Sequence, residues 1–136
     1  MKILVVGKGG REHALVMALN ESPGEHELFS FPGSDAICDI AKRVEDVDGL
    51  DGVIEFIEKE GIDLCVAGEE SYLVKDRGLA NACAEIEVPC WGPVKEAAQL
   101  EASKEFAKEF MVRHGIPTGG YASVSELGAA WEATGG

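Results

Sequence analysis

The sequence predicts an α/β fold, an open doubly wound parallel sheet, and three observations carry that reading. The opening "MKILVVGKGGREHALVMALNES" runs a short apolar segment into a glycine turn and then into an amphipathic stretch, the layout of a strand, a tight turn and a helix. A second run, "IDLCVAG" at residues 62–68, is continuously apolar, as in a parallel strand covered on both faces. Strand-like and helix-like segments then alternate along the chain, the order expected of a parallel sheet with helices on both sides.

Each element follows in turn. Residues 26–31, "HELFSF", form a second strand stopped by Pro32 and Gly33, whereas residues 34–47 match neither period cleanly. In "GLDGVIEFIEKEG" the residues Val53, Ile54, Phe56 and Ile57 recur at helical spacing, and Gly61 supplies the C-cap. A helix is expected over residues 72–85, with Leu73, Leu79, Ala80 and Cys83 on its apolar side and Gly78 as its weak point. "VPCWG" at residues 88–92 is a short further strand. The pattern changes at Pro93: "VKEAAQLEA" is helical, and Ser103 is placed to cap "KEFAKEFMVRHG", which ends at Gly115 with Phe106, Phe110 and Met111 facing one way. "IPTGGYASV" is extended, and residues 125–134 read as a last amphipathic helix with Ser125 as N-cap. These shifts divide the chain into a domain at residues 1–101 and the start of a second at residues 102–136.

Composition narrows the function. The chain has 136 residues, enough for one ordinary domain and a fragment of another, and its 46% hydrophobic and 27% charged content is that of a soluble globular protein. No apolar run approaches a membrane span, and neither the composition nor the Met1-Lys2 start resembles a secretory signal, so a cytoplasmic location is expected. Twelve Lys and Arg against 25 Asp and Glu leave a net charge of −13, a field that repels nucleic acid and anionic membrane, so a phosphate-bearing ligand must be gripped by local donors. Cys38, Cys65, Cys83 and Cys90 contain no C-x-x-C pair and no zinc spacing, and read as reduced, structural thiols.

The glycines at 7, 9 and 10 pose the functional question. A dinucleotide fingerprint, G-x-G-x-x-G, needs a small third residue and an acidic residue ending the second strand. Here the third position is Glu12, a carboxylate that would face a pyrophosphate, and the second strand ends in "FSFPG". Both requirements fail, and no Walker G-x-x-x-x-G-K-[ST] occurs. What remains is a glycine turn followed by Arg11, Glu12 and His13 at a helix start. These could be a favourable first-turn charge, a solvated cation and a packed imidazole, or they could bind a ligand. The loops "VVGKGG", "SFPGS" and "VAGEES" all leave carboxyl ends of strands, where open α/β sheets bind ligands, and this favours a pocket.

At these residues the sequence resembles a known family. "GKGGREHAL" is similar to the N-terminal signature of the phosphoribosylamine–glycine ligases, ATP-grasp enzymes of purine synthesis, and the likeness continues along all 136 residues. "FPGS" looks like that family's P-G-N loop and "VAGEESYLVKDRGLA" like its G-P-E-x-P-L segment. "CWGPVKEAAQLEASKEFAKEFMVRHGIPTGGY" looks like the stretch entering the ATP-grasp domain. The resemblance implies a Rossmann-like pre-ATP-grasp domain followed by the first helices of an ATP-grasp domain. It implies the joining of 5-phosphoribosylamine and glycine at the expense of ATP, with Mg2+ or Mn2+, by an enzyme monomeric at full length. ATP and metal would be bound mainly outside this chain, which alone would not turn over. Carried over by position, Gly9, Gly10, Arg11, Glu12, His13, Gly33, Ser34 and Glu70 would line the phosphoribosyl side, and Lys104 would reach the nucleotide phosphates. Ser34 replaces the family's Asn, Glu69 its Pro, and Ser71-Tyr72 a residue followed by Pro, which leaves the loop of Glu70 less rigid. The competing readings are a stand-alone nucleotide-binding module and a folding unit without ligand affinity, self-associating through Phe110 and Trp131.

Overall fold

The structure is a computed structural model and describes residues 1–121. The helix expected at residues 125–134 lies outside the described residues. The chain divides into two compact units, Met1–Ala98 and Gln99–Gly136.

The first unit is built on strand β1 (Lys2–Gly7), helix α1 (Gly10–Glu21), β2 (Glu27–Pro32), the short α2 (Asp35–Cys38), β3 (Lys42–Arg43), α3 (Gly49–Glu60), β4 (Leu64–Ala67), α4 (Ser71–Val74), α5 (Leu79–Glu85) and β5 (Cys90–Trp91). The strands form one sheet in the order β3-β2-β1-β4-β5, every pair parallel. The chain moves outward from β1 through β2 to β3, and α3 then carries it back across to β4 on the other side of β1. The sheet is therefore doubly wound, with its switch point between β1 and β4.

Alternation along β1 makes two cores. Leu4 and Val6 join Phe29, Cys65 and the apolar sides of α3 and α5, including Val53, Ile57, Leu79 and Cys83. Ile3 and Val5 point the other way, into a smaller cluster with Val16 of α1, Leu28, Ile37 and Val66. Successive strand residues point to opposite faces, so a strand buried on both sides must be apolar throughout, as β1 is.

Gly61 ends α3 at φ +68, and the Ile62 amide donates to the Ile57 carbonyl in the expected glycine C-cap. The helix expected over residues 72–85 is two helices. Gly78 sits between them at φ +81, and a Cβ there would stand 2.6 Å from the Leu73 carbonyl oxygen and 2.9 Å from the Lys95 Cβ. The weak point read from the sequence is the break itself, because its φ lies outside the helical region. The ambiguous residues 34–47 hold α2 and the two-residue β3, both too short to leave a period.

Helix α6 (Lys95–Ala102) spans the divide between the units, and its Lys95 amide donates to Asn81 Oδ1 at 2.8 Å within the first unit. In the second unit, α7 (Lys104–Arg113) is capped as expected: Ser103 Oγ accepts from the Phe106 amide at 3.2 Å. Gly115 at φ +64 ends it, with the Ile116 amide donating to the Met111 carbonyl. Phe110 and Met111 are half-buried, and Lys108 Nζ holds the following segment through Thr118 Oγ1 at 2.6 Å. Among the described residues, no helix is long and apolar enough to cross a membrane.

Two predictions follow from this packing. Leu4→Ala deletes a side chain with no exposed surface and should cost about 2–5 kcal/mol in urea unfolding. At the sheet edge, Lys42 pairs with Glu27 and depresses its pKa, first through their hydrogen bond. A depressed folded-state pKa stabilises above the unfolded value and loses that stabilisation as pH falls through the folded one. The Tm difference between the native chain and Glu27→Gln should therefore be present at neutral pH and vanish on acidification below the ordinary carboxylate range.

Candidate functional site

The loops after β1, β2 and β4 are knitted together at the carboxyl edge of the sheet. The Val6 carbonyl accepts from the amides of Gly68, at 2.9 Å, and Glu69, at 3.2 Å. The Gly7 carbonyl accepts from the Gly33 amide at 3.2 Å. This is the edge at which the three polar, glycine-bearing loops were expected to meet.

Glu12 lies at its centre. Its position in the first turn of α1 turns the side chain back over β1, and it is only 4% exposed. Oε2 accepts from the Gly9 amide at 2.6 Å, the backward half of a capping box, and Oε1 accepts from Arg11 Nε at 3.3 Å. The side chain fills the crevice between β1 and β4: a Cβ on Gly7 would lie 2.5 Å from Glu12 Cγ, and one on Gly68 would overlap it outright. Gly68 is the residue that sequence reasoning missed. Its signal was weak, a glycine closing an apolar strand, and only the strand order places it opposite Glu12.

Arg11 joins two of the loops. Its guanidinium meets Glu12 and, through Nη2, Glu70 Oε2 at 3.3 Å, so residues distant in sequence converge. Those hydrogen bonds, the one it donates to Glu12 foremost, raise its already high pKa, and it stays cationic. Gly10 is exposed with open space where a Cβ would be, and the amides of the first turn of α1 have no acceptor within the helix. Together these groups can receive a small anion. His13 is half-buried in the same turn, its amide donating to the Gly9 carbonyl.

Gly33 is held at φ +67, and a Cβ there would stand 2.6 Å from Ser30 Oγ. Ser34 precedes α2 without capping it by its side chain; its carbonyl accepts from the Cys38 amide. Alongside lies a cleft of about 410 Å³ lined by Phe31, Asp48, Glu69, Tyr72, Lys75 and Asp76, among others. Three acids against one lysine give this cleft an anionic lining. Lys104 belongs to the second unit, where it opens α7 with its side chain exposed.

A profile of the family described as "Phosphoribosylglycinamide synthetase, N domain" matches residues 1–101. The chain belongs to that family. It is 46% identical over 131 residues to a phosphoribosylamine–glycine ligase of Allochromatium vinosum, covering 93% of this chain and 30% of the relative. It is 40% identical over 129 residues to that of Lactococcus lactis, covering 93% and 31%. The chain thus spans about 30% of the length of these curated relatives. The crystal structure of the Thermotoga maritima phosphoribosylamine–glycine ligase superposes with a TM-score of 0.60 at 28% identity, over 87% of this chain and 26% of that one. A biotin carboxylase domain of a single-chain bacterial carboxylase shares the fold, at 19% identity and a TM-score of 0.65.

The glycine-and-glutamate corner is open to a stability test. Gly68 does not sit at positive φ, and the three atoms nearest a Cβ there all belong to Glu12. Gly68→Ala should destabilise by about 1–3 kcal/mol. The double variant with Glu12→Ala should recover much of that, a coupling of at least about 1 kcal/mol in denaturant unfolding; additive effects would mean that the two residues do not share the crevice.

Proposed function

We propose that this chain is the N-terminal part of a phosphoribosylamine–glycine ligase, the enzyme that joins 5-phosphoribosylamine to glycine, with ATP converted to ADP and phosphate, to form glycinamide ribonucleotide. The observation that carries this reading is the match of residues 1–101 to the family's N domain, together with curated ligases at 40–46% identity. In that reaction ATP phosphorylates the glycine carboxylate, and the sugar's amine displaces phosphate from the acyl phosphate. Residues 1–101 form the domain facing the sugar phosphate, and residues 102–136 begin the ATP-grasp domain.

The role of this chain's own residues is to grip and orient the phosphoribosyl end. Arg11 and the open amides at the start of α1 meet the phosphate, while Gly9 and Gly10 let it come close to the backbone. Arriving phosphate competes with Glu70 for Arg11, and the displaced Glu70 carboxylate accepts from ribose hydroxyls. Glu12 holds Arg11 in position from behind. Gly33 and Ser34 approach from the β2 side, and His13 completes the first turn. Lys104 serves the nucleotide phosphates. Mg2+ or Mn2+ requires hard oxygen ligands. The cluster of three potential ligands found among the described residues, Cys65, Cys83 and Cys90, is all sulfur, so no metal-bound step is assigned to this chain. A monomeric enzyme of the cytoplasm fits the chain's acidic surface.

Calorimetric titration of glycinamide ribonucleotide into a complete ligase carrying this chain tests the assignment. Arg11→Ala should weaken binding by at least about tenfold, in line with losing a charge-assisted hydrogen bond of 1.5–3 kcal/mol. Unchanged affinity removes Arg11 from the site. Titration of NAD, NADP and AMP into the present chain separates this reading from a nucleotide-binding module, which requires tight binding of one of them.

A further inference from the structure

Three of the four cysteines meet inside the first unit, although no spacing in the sequence announces it. Cys65 and Cys90 are register partners on β4 and β5, so their side chains leave the same face of the sheet. Cys83 of α5 packs onto that face in the same core. The three Sγ atoms all lie within 4.8 Å of one another. Cys65 and Cys83 are fully buried and Cys90 is half-buried, which leaves the cluster one approach from solvent. Among the described residues, no histidine or carboxylate joins the group.

The donor set and its surroundings select the occupant. At a thiolate bond of about 2.3 Å, three sulfurs stand roughly 3.7–4.0 Å apart around a tetrahedral or planar centre and about 3.3 Å apart around a pyramidal one, so closing the trio takes movements of about 1–1.5 Å. Soft thiolates exclude Mg2+ and Ca2+. A structural zinc ion wants four protein ligands and would leave a net negative charge here, and a monovalent ion such as Cu(I) would leave a larger one. Uncompensated charge is costly in an apolar core. A trivalent centre bound by three thiolates is neutral, and its lone pair takes the place of a fourth ligand.

We propose that Cys65, Cys83 and Cys90 form a trithiol site for a trivalent, sulfur-seeking metalloid of the arsenite type. Binding is ligand exchange without oxidation or reduction. Three As–O bonds of arsenous acid break and three As–S bonds form, and each departing hydroxide leaves as water with the proton of one thiol. Cys90 is the entry point, because it is the sulfur nearest solvent. Once closed, the site cross-links β4, β5 and α5.

Incubation of the chain with sodium arsenite, desalting and elemental analysis test the site, with alkylation mapping of the cysteines alongside. The expected result is one arsenic per chain, with Cys38 alone left open to alkylation and a raised Tm. Cys38→Ser should bind as the native chain does, whereas Cys83→Ala and Cys90→Ser should each bind about 100-fold more weakly, the advantage of the third linked thiol having been lost. Cys90 is the least buried of the three, so Cys90→Ser decides the matter if Cys83→Ala fails to fold. Absence of stoichiometric arsenic on the folded chain, undiminished binding by Cys90→Ser, or preferential uptake of zinc in direct competition would overturn the proposal.

Discussion

The buried carboxylate of Glu12 organises the carboxyl edge of this sheet. A carboxylate that has left water must find hydrogen-bond donors, and Glu12 finds them in the Gly9 amide and the Arg11 guanidinium. Both donors belong to the turn and helix start that carry Glu12 itself, so the loop after β1 is folded around its own side chain. The volume of that side chain then dictates its neighbours. Gly7 and Gly68 line the crevice between β1 and β4 because any Cβ there would collide with it.

This arrangement explains why a loop so near to a dinucleotide fingerprint departs from one. In doubly wound sheets the crevice at the switch point receives the ligand, and a small residue at the third fingerprint position lets the pyrophosphate reach the helix N-terminus. Here Glu12 occupies that position, fills the crevice and takes an amide at the helix start. Arg11 stays exposed, steadied by Glu12 on one side and met by Glu70 on the other. A cation held by two carboxylates is fixed in place, a local positive charge in a chain of net charge −13.

Much of the fold was legible because its signals are local. The apolar runs of β1 and β4, the glycine that stops α3 and the serine that caps α7 each act through neighbours a few residues away. Where reading failed, the cause was a contact from elsewhere or an element too short to show a period. The break between α4 and α5 falls at Gly78, whose positive φ leaves no room for a Cβ beside Lys95 and the Leu73 carbonyl, and α2 and β3 span four and two residues. At the candidate site, Arg11, Glu12 and Glu70 were each identifiable in their loops, but their meeting was not.

The sequence by itself determined the parallel α/β class, the glycine turn after the first strand, the mismatch of that turn to the dinucleotide fingerprint, and the family to which its motifs point. Each of these depends on residue type and short-range spacing. Only the tertiary structure decided that Glu12 is buried against Gly68, that Arg11 bridges to Glu70, and that three scattered cysteines share one pocket of the core. Those juxtapositions follow from the order in which the strands pair, and strand order is set by the packing of the whole sheet rather than by any segment of it.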